Sequence, residues 1–316
     1  MNAISAVVWL LLVVVLAVVF AAIALLTRAA PLRIVAGGGQ ALSWPKASCV
    51  SPDAVAACFS AVRRPAVRAS FGFPTEAERT ELERAAASIA AKHREPVTYR
   101  QLNSLRTMET VWDARKSGVR AMQLGPELKA EAGTGGDPAA VLAAARRHRL
   151  PPCAVWRQLA LEAGETPAAA RERPPPAEVA AADLSSRASC ETIRAEADSF
   201  ERAIEKFLRD SGVAFKTEND LRDDPHASGF TPDFLLDPPA LVSTPDGEPR
   251  PVHWIDAKNF PAFGSRLVEK KLAATADKYH RAFGPGAMVF SGGVACGITV
   301  GNSAPEPLLL DGSFLV

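Results

Sequence analysis

Two aspartates and a lysine in the last third of the sequence have the types and spacing that metal-assisted phosphodiester hydrolysis requires. Asp233 follows Thr231-Pro232, and Asp256-Ala257-Lys258 closes the run Val252-His253-Trp254-Ile255. Cleaving a phosphodiester calls for hard oxygen ligands around a divalent cation. The ion must neutralise a phosphate oxygen while making a bound water acidic enough to attack. In an extended segment alternate residues share a face, so Asp256 and Lys258 point to one side and Ala257 to the other. The Lys258 ammonium then joins the acids, where it orients the attacking water or offsets charge building on the phosphate. Asp233, Asp256 and the Ala257 carbonyl are the expected ligands of Mg²⁺ or Mn²⁺, with Lys258, Asp233 and Asp256 as the catalytic set. Another carboxylate is expected from the preceding helix, where Glu201 and Glu205 lie one turn apart, and Glu201 is taken as the ligand. The same residues also fit a plainer reading: an Asp256/Lys258 ion pair on a hairpin whose Pro232-Asp233 only starts a turn. Competing chemistries are absent. The chain has no phosphate-binding Gly-Lys loop, no HExxH, no dinucleotide glycine pattern and no plausible Ser/His/Asp spacing.

The elements that must hold these residues follow from hydrophobic spacing. Glu191 to Asp210 reads as a long helix with Phe200, Ala203, Ile204, Phe207 and Leu208 on one stripe, ended by Ser211-Gly212. The period then shortens. Phe234 to Leu236, Ala240 to Val242 and Val252 to Ala257 read as strands of a hairpin around the polar loop Thr244 to Pro249. Arg266 to Ala282 is helical again, and Ala287 to Phe290 and Ile298 to Val300 are expected to close the sheet. Upstream, helical spacing dominates Asp53 to Val62, Glu76 to Lys92 and Tyr99 to Lys116. Pro138 to His148, capped by Asp137, and Cys153 to Ala163 form a helix-turn-helix-like pair around Pro151-Pro152.

The division expected from these patterns is residues 53–164 as a helical domain, 165–189 as a Pro-rich linker, and 190–316 as the domain bearing the chemistry. Residues 1–30 are expected to be a transmembrane anchor, because Ile4 to Leu26 runs without a charge and is followed by Arg28 and Arg33. A flexible Gly-, Ser- and Pro-rich tether over 31–52 would link that anchor, spanning through residues 4–26, to a main body facing the cytosol. The 36 Lys+Arg against 35 Asp+Glu leave a formal charge of +1, so affinity for nucleic acid has to come from local patches. The 5 cysteines are scattered without close-spaced pairs and read as reduced thiols.

At the chemical residues the chain resembles the TPD-motif family of codanin-interacting nucleases, in the PD-(D/E)xK restriction-endonuclease-like superfamily. The resemblance rests on Phe230-Thr231-Pro232-Asp233-Phe234, on Val252-His253-Trp254-Ile255-Asp256-Ala257-Lys258 and on Phe283-Gly284-Pro285-Gly286, in that order. Glu201 with Phe207, Leu208, Phe215, Glu218, Leu221 and Arg222 is similar to the family's lead-in helix and turn, which favours Glu201 over Glu205. The resemblance covers roughly residues 195–316, and Asp137 to Ala163 more weakly. It implies an α/β fold with a restriction-endonuclease-like αβββαβ core. It also implies a divalent-metal nuclease acting on DNA or RNA, or a nuclease-fold module that binds a codanin-like partner, in nucleus and cytoplasm. Asp256 stands where many members have Glu, and Thr275, one turn before Tyr279, stands where the family has Gln.

Four further features have plainer expectations. Arg146, Arg147, Arg149 and Arg157 could meet phosphates, although a solvated helical hairpin explains them as well. His253 is expected to be a packed histidine and Phe283 to Gly286 a turn. Lys270, Lys271, Lys278 and Arg281 could follow a nucleic-acid backbone or simply face water.

Overall fold

In a computed structural model of the chain, residues 40–45, 49–68, 70–222, 230–245, 247–264, 266–300 and 306–316 are described. The chain enters as a strand, β1 (Gln40–Ser43), inside the stretch expected to be a tether. Helices α1 (Pro52–Val62), α2 (Glu76–His93), α3 (Tyr99–Lys116), α4 (Gly118–Gln123), α5 (Gly125–Ala132), α6 (Pro138–His148) and α7 (Pro152–Glu162) follow. Where a linker was expected there are two short helices, α8 (Pro167–Glu172) and α9 (Ala177–Ala181), leading into the long α10 (Arg187–Asp210). The remainder is β2 (Phe215–Thr217), α11 (Glu218–Arg222), β3 (Phe234–Ser243), β4 (Arg250–Lys258), α12 (Arg266–Phe283), β5 (Ala287–Phe290) and β6 (Leu308–Asp311). The fold is mixed α/β.

Local chemistry sets the helix starts. Thr75 and Thr98 each open a helix with a reciprocal capping box, closed by Glu78 and Gln101, and Asp137 accepts from the Ala139 amide to start α6. Glu78 does more than cap. Its buried carboxylate pairs with the guanidinium of Arg106 on α3, 3.1 Å away. Arg106 also donates to the carbonyls of Val67, Ser70 and Gly72, lacing the loop between α1 and α2. Burial raises the Glu78 pKa, but the Thr75 amide and the Arg106 charge outweigh it and hold the carboxyl below its ordinary range.

The six-stranded sheet runs β1-β3-β4-β5-β6, with β2 also pairing with β3. β1 pairs in parallel with Ala240 to Ser243, and β2 pairs antiparallel with Phe234 to Leu236, so the two share one edge of β3 on either side of an irregularity between Leu235 and Ala240. The Gln40 amide bridges them by donating to the Ala214 and Pro238 carbonyls. α10 covers one face, with Phe200, Ile204 and Leu208 against Ile255, Ala287 and Val289. α12 covers the other, with Leu272 and Ala276 against Trp254, Met288 and Phe290. β5 is buried along its whole length, which is why its sequence is a continuous apolar run. The final strand is Leu308–Asp311 and not Ile298 to Val300. Both runs are short and apolar, but the later one pairs in parallel with β5, whereas Val300 and Ile298 pack beneath α12.

The helical layer is fastened to the sheet half. Gln101 donates to the Gly292 carbonyl, Val50 bridges Ala295, and Phe263 and Ala295 pack among the residues of α1 to α3. Cys49 and Cys296 are joined by a disulfide at the same junction, which corrects the expectation that every cysteine is reduced. Cys58 and Cys153 are buried thiols. The membrane-anchored placement is also corrected. Among the described residues no helix is long and apolar enough to cross a membrane, and Ile4 to Leu26, on which that expectation stood, lies outside the described residues.

Trp254 explains the Phe-Gly-Pro-Gly turn. Its indole donates to the Gly284 carbonyl, Gly284 holds φ +89 and a Cβ on Gly286 would lie 2.0 Å from the indole. Gly286→Ala is therefore expected to destabilise the protein by about 1–3 kcal/mol through overpacking. A lowered urea midpoint would report it, and an unchanged midpoint would show that the contact is slack.

Candidate functional site

The pairing of three strands brings the carboxylates together. Phe234 pairs with Ile255 between β3 and β4, so continuing the antiparallel register by one residue sets Asp233 opposite Asp256. Thr217 pairs with Phe234 between β2 and β3, and the Glu218 amide donates to the Asp233 carbonyl at 3.0 Å, so the same step sets Glu218 beside Asp233. Glu218, Asp233 and Asp256 thus stand at one level of three adjacent strands. Directly opposed residues of antiparallel strands share a face. Here that face is the α12 side, where Trp254 lies two residues before Asp256 on β4.

Each acid is held differently. One oxygen of Asp233 accepts from the Ala257 amide at 2.6 Å. Asp256 is only 3% exposed. Its Oδ2 forms an ion pair with the Lys258 ammonium but has no hydrogen bond of proper geometry. Lys258 also donates to the Ala257 carbonyl at 3.2 Å, so one ammonium touches two of the expected ligand oxygens. Glu218 accepts from Arg222 at 2.7 Å and from the Thr231 hydroxyl at 3.2 Å.

Electrostatics follow from this crowding. Burial first, and then the charge of Asp256, push the Asp233 carboxyl well above its ordinary range, with Lys258 and the Ala257 amide opposing. Glu201, on α10, is also raised, chiefly by burial and then by Asp198 and Glu218, and it feels Lys258 and Asp256. Glu205 instead forms an i,i+4 pair with Arg209. Of the two helix carboxylates, Glu201 is therefore the one that shares the field of the cluster.

A metal fits this donor set in part. Among the described residues no group of three or more His, Cys, Asp or Glu side chains stands close enough together to grip an ion as it is. The chemistry of the donors is nonetheless that of a hard-cation site, with buried carboxylates, a backbone carbonyl and a carboxylate oxygen lacking a hydrogen bond. The Lys258 ammonium contacts the oxygens that an ion held by Asp256 and Ala257 would share.

Two contributors escaped the sequence reading as site residues. Glu218 was seen only as part of a lead-in block, because the three-residue strand that positions it has no readable pattern. Tyr279 was seen only as a marker for Thr275. Its hydroxyl donates to the Thr231 carbonyl at 2.7 Å, its ring meets Trp254 edge-on, and burial followed by the charges of Asp256, Asp233 and Glu218 raises its pKa. Thr275 lies one turn before it on the same helix face. Lys278 sits over the Phe230 ring at 3.7 Å. His253 is half-buried beside Gly284, and burial and His280 depress its pKa.

The family model for proteins of unknown function with the TPD sequence motif matches residues 177–306. Over residues 177–306 the chain is thus similar to the TPD-motif family. That segment takes in α10, every strand from β2 to β5, and all the acids described above. An uncharacterized protein of Acanthamoeba polyphaga mimivirus is 42% identical over 115 residues, which is 36% of this chain and 39% of that protein. The chain thus spans well under half the length of the curated relative that it matches. No solved structure matches.

The raised Asp233 pKa has a sign. In the TPD segment without metal, the folded state keeps a proton on Asp233 at pH values where the unfolded chain has released it. Stability is full below the unfolded pKa and falls as pH rises through the folded one. Asp233→Asn should remove that loss. In chelator, its advantage in unfolding temperature over the parent should grow between about pH 5 and 9. An advantage independent of pH would contradict the buried charge.

Proposed function

We propose that the chain is a divalent-metal nuclease that hydrolyses phosphodiester bonds of DNA or RNA, with the β2–β4 acids as its metal site. The observation that carries this reading is Asp256: a buried carboxylate, opposite Asp233, whose Oδ2 is met, among the described residues, by the Lys258 ammonium alone. Burying like charges at one level is costly and has no evident structural return, whereas an active site needs it. The order α10, β2, β3, β4, α12, β5, with the short α11 inserted between β2 and β3, supports a restriction-endonuclease-like αβββαβ core.

Asp233, Asp256 and the Ala257 carbonyl would hold Mg²⁺ or Mn²⁺, with Glu201 and Glu218 at the margin of the cluster. The ion supplies charge neutralisation at a phosphate oxygen and a more acidic water. Lys258 must release Asp256 Oδ2 for this. Its ammonium would then be free to orient the attacking water and offset developing charge. The Ala257 amide fixes Asp233, and Tyr279, by bonding to Thr231, fixes the turn that carries it.

A second reading, a nuclease fold kept as an interaction module for a codanin-like protein, is favoured by Thr275 in place of the family's Gln and by the closed Lys258–Asp256 pair.

Purified full chain should cleave labelled DNA or RNA with Mg²⁺ or Mn²⁺ and not in chelator. Lys258→Ala and Asp256→Asn should each lower the rate about 10²-fold or more. Cleavage unchanged in both variants would refute the site. Calorimetric titration of Mg²⁺ separates the two readings, because the nuclease must bind the ion in an Asp256-dependent manner. Its affinity should also rise with pH as Asp233 loses its proton.

A further inference from the structure

Away from the acids, the helical layer contains an open cleft of about 610 Å³. Arg63, Arg68, Lys116, Arg120, Arg146 and Arg149 line it, and Asp113 is its one lining carboxylate. In a chain with a formal charge of +1, that is a strong local excess. Two of the six are matched: Arg63 pairs with Glu109 and Arg68 with Asp113. Lys116 lies over the Trp112 ring at 4.7 Å. Arg120, Arg146 and Arg149 have no carboxylate at ion-pair distance among the described residues. The helix-turn-helix-like arginines divide accordingly: Arg146 and Arg149 face the cleft, while Arg147 turns to Glu131.

Helix electrostatics explain part of this placement. Lys116 ends α3, Arg120 lies in α4 and Arg146 and Arg149 end α6, where the negative end of a helix dipole favours cations. That accounts for each cation at its own helix end. It does not account for these ends converging on one concave surface, where the cations repel one another. Thr110 is in the wall of the cleft, 2% exposed, and its hydroxyl has no hydrogen-bond partner among the described residues. The ring of Phe71 and the side chains of Leu142, Leu150 and Pro152 complete the lining.

We propose that this cleft binds the phosphodiester backbone of a nucleic-acid strand, as an anchoring site separate from the acidic cluster. Guanidinium groups grip phosphate oxygens through paired N–H donors. The unmatched cations come from the ends of α3, α4 and α6 around one open cleft, which suits a polyanion with charges at intervals. The apolar wall with Phe71 offers a surface on which a base can rest. The site does not depend on the hydrolytic reading, since neither metal nor Asp256 takes part.

Binding of labelled single-stranded DNA and RNA to the full chain, followed by fluorescence anisotropy in chelator, tests the proposal. Affinity should fall with salt with a log–log slope near −3, as expected when about four unmatched cations displace counterions. Arg146→Ser combined with Arg149→Asn should weaken binding at least about tenfold and reduce the slope by about 1.4. Asn is chosen because residue 149 holds φ 51. Lys116→Gln with Arg120→Gln should act in the same direction and serves if the first pair unfolds. Arg187→Ser, at an arginine outside the cleft, should leave binding unchanged. Metal-dependent hydrolysis of bis(p-nitrophenyl) phosphate should be equal in the arginine variants and the parent, so loss of anchoring and loss of chemistry can be told apart. No binding by the parent, unchanged binding in folded double variants, or equal weakening by Arg187→Ser would overturn the proposal.

Discussion

The constraint on which the sheet half depends is the placing of a buried carboxylate, Asp256, and a partly buried one, Asp233, at one level of adjacent strands. Taking an ionised carboxylate out of water costs several kcal/mol unless something charged or hydrogen-bonding replaces the solvent. At Asp233 the replacement is the Ala257 amide, and part of the cost appears as a raised pKa. At Asp256 it is the Lys258 ammonium. Both partners lie within two residues of Asp256 on β4. One strand therefore brings the problem and most of its remedy, and any slip in its register would part the acids from their counter-charges.

Register is accordingly over-determined around β4. On one side it pairs with β3, on the other with the fully buried β5. Trp254 adds a lock, since its indole is bonded to Gly284 and fits only where Gly286 lacks a side chain. The Asp233 turn is held through Thr231, whose carbonyl takes the Tyr279 hydroxyl and whose hydroxyl reaches Glu218. The three sequence blocks that carry the family resemblance are thus one mechanical unit: the turn bearing Asp233, the strand bearing Asp256 and Lys258, and the glycine turn that seats that strand.

Legibility in the sequence follows from how local each determinant is. The helices of the first half were readable because caps and apolar stripes are local. Thr75, Thr98 and Asp137 announce their helices within three residues. The shared face of Asp256 and Lys258 is legible from alternation along β4. Three things were not readable. Gln40 to Ser43 lies among glycines and prolines, and it is a strand because the edge of β3 and the bonds of the Gln40 amide hold it there. Glu218 owes its place to the three residues of β2, too few to show a period. The Cys49–Cys296 bond joins positions whose proximity depends on the whole fold. The membrane-anchored placement was read from Ile4 to Leu26 alone, and no described helix has the length and apolarity to support it.

Charge is used in two opposite ways in a chain whose total is close to neutral. At the sheet, negative groups are gathered, with Lys258 on Asp256 and Arg222 on Glu218 as their cationic partners, and the excess of acids makes the local field favour a cation. In the helical cleft, cations are gathered and Asp113 compensates only one of them, so the local field favours an anion. Neither concentration helps folding, because like charges brought together lower stability in both places. Net charge cannot reveal such a division, since the two excesses cancel in the sum. A polyanion that must be held near a divalent cation needs both fields at once, one for the strand and one for the ion. On the proposed function and the proposed anchoring site, that shared requirement is what brings the acidic cluster and the basic cleft into the same molecule.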